Sequence, residues 1–180
     1  MNGIVRLKHI VDYQKVCYYS VVIDEEDQPI EFASSIFEEF VRVQTINNSE
    51  KLNHILSWLQ EIGEKYGAQD HLFRNEQYQG EALALPPYAM DRPPVYTEDG
   101  DTLPNNLRLY CHRLNPKVVI LFNGAIKTQD KAHNCPNVKQ HFLQANQLTN
   151  IIDRAFQEKE IFWTEDYNDI DFDDDLILYY

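Results

Sequence analysis

The sequence lacks the features of membrane and secreted proteins. No stretch approaches the roughly 20 consecutive apolar residues that a membrane-spanning helix needs. Charged residues from Arg6 onward interrupt the apolar N-terminal stretch, so no signal peptide is predicted. The three cysteines are an odd number and form no CxxC pair, which favours free thiols in a reducing compartment. We therefore expect a cytoplasmic protein without a membrane partner.

The motifs of several familiar enzyme classes are missing as well. There is no Gly-rich phosphate loop, no GxSxG sequence and no HExxH sequence. The chain has no internal repeat, and its 180 residues correspond to one domain of ordinary size. We predict that domain over residues 1–163, with a long proline-rich loop at 71–104 and an acidic, aromatic tail at 164–180.

Positive charge is scarce overall and concentrated in one part of the sequence. The net charge is −13, yet residues 104–163 carry eight lysines and arginines against four carboxylates, a net charge of +4. The segments on either side, 1–103 and 164–180, are both acidic. The overall charge argues against a nucleic-acid binder, because phosphate contacts need lysine and arginine, whereas the basic segment favours an anionic target.

Hydrophobic periodicity predicts an α/β (α+β) fold. A run of β-branched and aromatic residues indicates a first strand, two amphipathic helices follow it, and a hairpin and a third helix come after the proline-rich loop. The predicted ranges are 16–23 for the strand, 31–43 and 46–67 for the helices, 105–128 for the hairpin and 141–157 for the third helix. We expect a small antiparallel sheet with the two N-terminal helices packed on one face and the third helix following the hairpin.

The acidic tail is threaded with apolar residues, among them Tyr167, Phe172 and Leu176. A segment this apolar is not expected to be merely solvated. Three alternatives are open: the tail pairs as an edge strand, it docks on its own domain, or it binds a partner.

The pattern that carries most information in the basic segment is LRLYCHRLNPKVVILFNGAIKTQDKAHNCPNVKQHFLQANQLTNIIDRA, residues 107–155. This stretch resembles bacterial RelE/ParE-superfamily toxins, most closely the HigB-like, phage-derived branch. In that branch an L-R-hydrophobic strand leads to a hydrophobic strand that ends in a small residue and a K-K/T pair, and a helix with a central alanine follows. The matching positions are Leu107, Arg108, Leu121, Gly124, Lys127, Thr128, Ala145 and Arg154.

The resemblance implies a RelE-like domain whose curved antiparallel sheet presents a basic face. The best-known members of the superfamily cut messenger RNA at the ribosome, and the ParE branch acts on gyrase. An antitoxin usually covers the basic face. The resemblance therefore implies the toxin of a type II toxin-antitoxin system, with messenger RNA, the ribosome and an antitoxin as partners.

RNA cleavage of this kind moves a proton from a 2′-hydroxyl and stabilises added charge on the phosphate, without a metal. Arg108 alternates with apolar neighbours and is predicted to stabilise the phosphate; Lys127 is predicted to stabilise charge or carry a proton. His112 shares the face of Arg108 and is a candidate acid or base. Lys131 completes the predicted catalytic set. Each has an ordinary alternative, namely an exposed side chain on a solvated sheet face or at a strand exit.

Three further basic residues are predicted to contact RNA: Arg113, Lys117 and Lys139. The cysteines and histidines of this segment are candidate ligands for a zinc ion. Cys111 and His112 are adjacent and point to opposite faces of a strand, which does not suit one ion. No metal and no other cofactor is predicted.

Two functional hypotheses follow. In the first, the protein is an RNA-cleaving toxin whose acidic tail folds over the basic face and masks it. In the second, the chain is a non-catalytic binding module with a toxin-like fold, and the acidic, aromatic tail engages a protein partner.

Overall fold

The structure is a computed structural model that describes residues 3–24, 28–76, 82–88 and 92–180. The strands in these ranges are β1 (Ile4–Asp12), β2 (Cys17–Asp24), β3 (Arg74–Asn75), β4 (Leu83–Leu85), β5 (Thr97–Glu98), β6 (Asp101–Thr102), β7 (Leu107–Asn115), β8 (Val118–Ile126), β9 (Ile161–Trp163), β10 (Ile170–Phe172) and β11 (Leu178–Tyr179). The α-helices are α1 (Ile36–Asn47), α2 (Ser49–Glu61) and α3 (Pro136–Gln157). Shorter helical turns are Ile62–Tyr66, Asp70–Leu72 and Ala132–Asn134. None of the described helices is both long and apolar enough to cross a membrane.

Seven of the described strands form one sheet in the order β11-β1-β2-β8-β7-β4-β3. The α/β class and the three predicted helices are confirmed, but the expectation of a small antiparallel sheet is wrong. The sheet is larger, and β2 pairs with β8 in parallel, with Cys17 opposite Val118 and Tyr19 opposite Ile120. A parallel pair needs a long crossover connection, and α1 and α2 lie within it.

The start of α1 is set by a capping box. Ser35 Oγ accepts the backbone N–H of Glu38 at 3.1 Å, and the Ser35 N–H donates to the Glu38 carboxylate at 2.7 Å. This reciprocal cap explains why the helix begins at Ile36 rather than at residue 31. The helices α1 and α2 then pack on one face of the sheet through these buried side chains: Phe37, Phe40, Leu52, Ile55, Trp58 and Leu59.

The third helix covers the opposite face of the sheet. It begins at Pro136, five residues before the predicted start, and buries Val138, Phe142, Ala145 and Leu148. Both faces of the central strands are therefore buried, and residues 118–122 of β8 are buried at every position. An unbroken apolar run of this kind is typical of strands covered on both sides.

The expected basic face of β7 does not lie open to solvent. Tyr110 is fully buried, and its ring lies 5.5 Å from that of Phe142 in α3. Arg108, on the same side of the strand, is only 7% exposed. The alternation along β7 was therefore misinterpreted, because a polar side chain on a strand can be paired internally as well as solvated.

The acidic tail is part of the fold. The strand β11 pairs with β1, placing Val5 opposite Leu178, and β10 pairs with β9. Ile170 and Leu178 are buried in the same core as α3, and Tyr19 donates its hydroxyl hydrogen to Asp169 at 2.6 Å. Two of the three alternatives for the tail thus occur together: it pairs as an edge strand and it docks on its own domain.

The proline-rich segment 71–104 is more structured than a loop. Its strand β4 extends the sheet beside β7, with Leu83 opposite Cys111 and Leu85 opposite Leu109, and β3 pairs with β4. The strands β5 and β6 form a separate hairpin. Residues 77–81 and 89–91 of this segment lie outside the described residues. The rest of the segment brings new side chains to the start of β7.

Candidate functional site: a cationic cleft at one end of the sheet

Two of the predicted catalytic residues meet on one carboxylate. Arg108 Nε donates to Glu76 Oε1 at 2.7 Å, and Lys127 Nζ donates to Glu76 Oε2. The Glu76 side chain is only 2% exposed, whereas those of Arg108 and Lys127 are 9% and 12% exposed. The three groups come from three different segments: Glu76 follows β3, Arg108 lies in β7, and Lys127 follows β8.

Backbone contacts hold the two cations in place. Arg108 Nη1 donates to the carbonyls of Asn105 at 2.7 Å and Leu107 at 3.1 Å. The Lys127 N–H donates to the Asn106 carbonyl at 2.8 Å, so pairing between the two strands continues past the end of β8. The charged end of the hairpin is therefore built on a rigid part of the sheet.

Gly124 permits the strands to approach closely at this point. It lies opposite Leu109, and a Cβ atom there would lie 1.8 Å from the carbonyl oxygen of Arg108. Only a residue without a side chain fits such a contact. Gly124 is the small residue of the RelE/ParE-like pattern, and this close contact explains why a larger residue does not fit there.

A third cation, Arg74, stands beside the pair. Its guanidinium lies 4.5 Å from the centre of the Tyr88 ring, and it donates to the carbonyls of Pro86 at 2.6 Å and Pro87 at 3.2 Å. Burial, and next the positive charge of Arg108, lower the pKa of Arg74 to about 10. An anion placed between the two guanidiniums would relieve this repulsion.

These side chains line an open cleft of about 410 Å³, which we call the cationic cleft. Its charged residues are Arg74, Glu76, Arg108, Lys127 and Asp130. Three cations against two carboxylates give the cleft an excess of positive charge, although the chain as a whole carries −13. Asn75, Tyr88, Thr128 and Gln129 complete the lining.

Two guanidinium nitrogens of the cleft make no hydrogen bond within the described residues. The hydrogen bonds of Arg74 there use Nε and Nη2, and those of Arg108 use Nε and Nη1. The two nitrogens are Arg74 Nη1 and Arg108 Nη2. Lys127 has three N–H donors, of which one meets Glu76.

The other two predicted catalytic residues do not join this group. His112 Nε2 lies 2.7 Å from Asp153 Oδ1 of α3 and is held between the strand and the helix. Lys131 is exposed in the loop before α3 and is not among the residues that line the cleft. The structure therefore assembles Arg108 with Lys127 and separates both from His112.

The predicted RNA-binding residues lie elsewhere too. Lys117 is in the turn between β7 and β8, and at ~3.3 Å per residue it stands roughly 30 Å along the strand from Lys127. Arg113 uses its Nε to donate to the carbonyl of Ala68. Lys139 is exposed on the first turns of α3. These cations do not form one surface with the cleft.

Sequence reasoning missed Glu76, Arg74 and Tyr88. All three belong to the segment interpreted as a loop, where no periodicity marks them. Their role depends on β3 and β4 joining the sheet beside β7. The only signal in the sequence was the length of that segment, since long loops in compact domains are often functional.

Cys135 lies behind the cleft at the start of α3. The backbone N–H of Thr128 donates to Cys135 Sγ at 3.3 Å, and the Thr128 hydroxyl lies 3.4 Å from the sulfur. Burial opposes ionisation of the thiol. The hydrogen bonds from Thr128 and from the first backbone N–H groups of α3 outweigh it and lower the pKa of Cys135 to about 7.

The cysteines and histidines that were candidate zinc ligands do not lie together. Cys111 packs in the core beneath α1 and α2, while His112 meets α3, as expected for adjacent residues of a strand. In the part of the chain that the structure describes, no group of three or more His, Cys, Asp and Glu side chains is placed to hold a metal ion.

Comparison with protein-family models, with curated proteins and with solved structures finds no significant match to this chain.

Proposed function

We propose that this chain is a binding module for a ligand that presents one anionic group, a phosphate or a carboxylate, to the cationic cleft. The observation that carries the proposal is the convergence of Arg74, Arg108 and Lys127 around Glu76. Guanidinium groups bind such anions through paired, charge-assisted hydrogen bonds. Glu76 neutralises part of the charge and orients Arg108 and Lys127 before the ligand arrives.

The number of cations in the cleft favours a ligand with a single anionic group over a polyanion. A nucleic-acid site typically makes about 6–10 phosphate contacts. The cationic cleft supplies three cations in a chain of net charge −13, and the predicted RNA-binding residues Arg113, Lys117 and Lys139 lie away from it. Three cations suffice for one phosphate and are too few for a long phosphate backbone.

The proposal is tested by titrating the ¹⁵N-labelled protein with inorganic phosphate at low ionic strength. We expect the largest amide shifts at Thr128 and Gln129, and at least a tenfold loss of affinity in Lys127→Met. Lys131→Met is the matched control, because it removes an exposed lysine four residues away, and its affinity should stay within twofold of the original. Shifts confined to Lys15 and Lys117 at the other end of the sheet, or no shifts, would overturn the proposal.

We propose RNA cleavage by a toxin-like protein as a second candidate function. What favours it is that Arg108 and Lys127, both positions of the RelE/ParE-like pattern, converge on Glu76. A carboxylate, a lysine and an arginine can together accept a proton, donate one and stabilise a charged phosphate. In this proposal the protein acts in the cytoplasm on ribosome-associated messenger RNA, and an antitoxin is its partner.

In this proposal Glu76, and not the acidic tail, masks the cations of the cleft. The strands β1, β2 and β8 separate β11 from β7 in the sheet, and the tail bonds to Tyr19, Asn115 and Gly3. Glu76 is the carboxylate that covers Arg108 and Lys127. The apolar tail residues Ile170 and Leu178 are buried internally, whereas Tyr167 and Tyr179 are exposed.

Brief induced expression in bacteria tests the second candidate. If it is right, protein synthesis stops with the original chain and with Lys131→Met and continues with Lys127→Met at equal levels of folded protein. If the original chain leaves protein synthesis unchanged, RNA cleavage is abandoned and the binding module stands alone.

A further inference from the structure

A second concavity opens directly beside the cationic cleft. We call it the aromatic pocket. It has a volume of about 80 Å³ and shares two lining residues with the cleft, Arg74 and Tyr88. Its other walls are mainly rings, from Trp58, Tyr96, Pro86, Pro87, Pro94 and Pro104. The cation–π pair of Arg74 and Tyr88 is thus a common wall between an apolar site and a cationic one.

The polar groups at the base of the pocket are largely used within the protein. Asn105 Oδ1 accepts the Leu107 N–H at 3.0 Å, which orients its Nδ2 toward the Lys51 carbonyl at 2.9 Å and His54 Nδ1 at 3.0 Å. On the other side of the ring, His54 Nε2 lies 3.3 Å from the Pro94 carbonyl oxygen. Burial lowers the pKa of His54, although the bond to Pro94 opposes this, and so favours the neutral form.

The indole N–H of Trp58 is also used within the protein, since Trp58 Nε1 donates to His54 Nε2 at 3.2 Å. The pocket therefore offers mainly ring surfaces. Such a lining suits an apolar ring better than a nucleic-acid base, which brings several donors and acceptors that need partners.

The size of the pocket also selects among rings. A closed cavity of about 150 Å³ holds a whole benzene molecule. At about 80 Å³ and open to solvent, the aromatic pocket admits one six-membered ring inserted by its edge, and a fused bicyclic ring is too large.

Exposed apolar side chains surround the mouth of the pocket. Tyr88, Val95 and Leu103 line it and are 56%, 51% and 45% exposed. Three large apolar residues around one concave site indicate a surface that a ligand covers. Together with the adjacent cations, they define a ligand that is apolar at one end and anionic at the other.

We propose that the ligand of the cationic cleft is a small aromatic anion, with a single six-membered ring in the aromatic pocket and its phosphate or carboxylate group at Arg74, Arg108 and Lys127. This inference rests on the proposed binding function and names its ligand class. The two sites lie on either side of one side-chain pair, in which the Arg74 guanidinium and the Tyr88 ring centre are 4.5 Å apart. One small ligand can therefore place its ring in one site and its anionic group in the other.

The test compares three probes by isothermal titration calorimetry: phenyl phosphate, inorganic phosphate and phenol. Burying about half of a phenyl ring predicts that phenyl phosphate binds about tenfold more tightly than inorganic phosphate, and that phenol binds more weakly than phenyl phosphate. Val95→Trp fills the mouth of the pocket. It should remove the advantage of phenyl phosphate and leave the affinity for inorganic phosphate within twofold.

Leu143→Trp is the matched control, because Leu143 is also 51% exposed and lies on α3, away from the pocket. It should preserve the tenfold advantage. Equal affinity for the two phosphates, or an advantage that survives Val95→Trp, overturns the ring site and leaves the anion site standing. Failure of inorganic phosphate to bind the original chain overturns the anion site itself, and phenyl phosphate then fails with it.

Discussion

Arg108 and Glu76 lie 32 positions apart in the chain, and Arg108 Nε donates to Glu76 Oε1 at 2.7 Å in a buried environment. Lys127 shares the other carboxylate oxygen. One carboxylate therefore balances two cations where β3 and β8 end and β7 begins. A buried charge is tolerated only when it is paired. The contacts of Glu76 therefore stabilise this part of the sheet and also set the charge of the cationic cleft.

We predict that Glu76→Gln destabilises the protein by about 3–5 kcal/mol, because it leaves two buried cations without their carboxylate. Urea denaturation measures the free energy of unfolding. Glu39→Gln is the control: it removes the exposed ion pair with Arg42 and should leave the free energy of unfolding almost unchanged. Equal losses in the two variants would show that the Glu76 pair is solvated rather than buried.

Gly124→Ala should lower the free energy of unfolding by about 1–3 kcal/mol or more, because its Cβ would collide with the backbone carbonyl of Arg108. The neighbour is backbone and cannot rotate away, so the two strands must separate. Circular dichroism during thermal unfolding measures the loss. A melting temperature equal to that of the original chain would mean that the strands are further apart than described.

The neutral, buried His54 makes stability depend on pH. Its folded-state pKa is lowered by burial, so between that value and about 6.5 the unfolded chain binds more protons than the folded one. The contribution is present above about pH 6.5 and is lost as the pH falls through this window.

Denaturation of His54→Gln at a series of pH values from 8 to 5 measures the effect. We expect a shallower fall in the free energy of unfolding than in the original chain. His141, whose pKa is also lowered by burial, keeps part of the slope in this variant. An unchanged slope would show that His54 is as solvated in the folded protein as in the unfolded one.

The tail should behave as part of the core. Leu178→Ala removes a side chain that is 5% exposed and is expected to cost about 2–5 kcal/mol. Tyr179→Ala, at the next position and 68% exposed, should change stability by no more than about 0.5 kcal/mol. Guanidinium denaturation compares the two. A negligible effect of Leu178→Ala would mean that β11 contributes little to the fold in solution.

The positions of the helices and of the β7–β8 hairpin were predictable because their signals are local. Amphipathic spacing located α1 and α2 to within about six residues at each end, and two adjacent apolar strand patterns predicted the hairpin. Strand β1 is not predicted, because charged residues interrupt its apolar positions. The strands β3 and β4 were missed because each is short and set among prolines.

The sequence by itself determined the α/β class, the three helices and the apolar run of β8, because 3.6-residue and strand periodicities act over neighbouring positions. Only the tertiary structure decided that α3 covers the face expected to be basic, that the tail closes the sheet edge at β1, and that Glu76 and Arg74 stand beside Arg108. Those relationships join residues far apart in the chain. They depend on which surfaces must leave water together and which buried charges must be paired, and no local pattern records either condition.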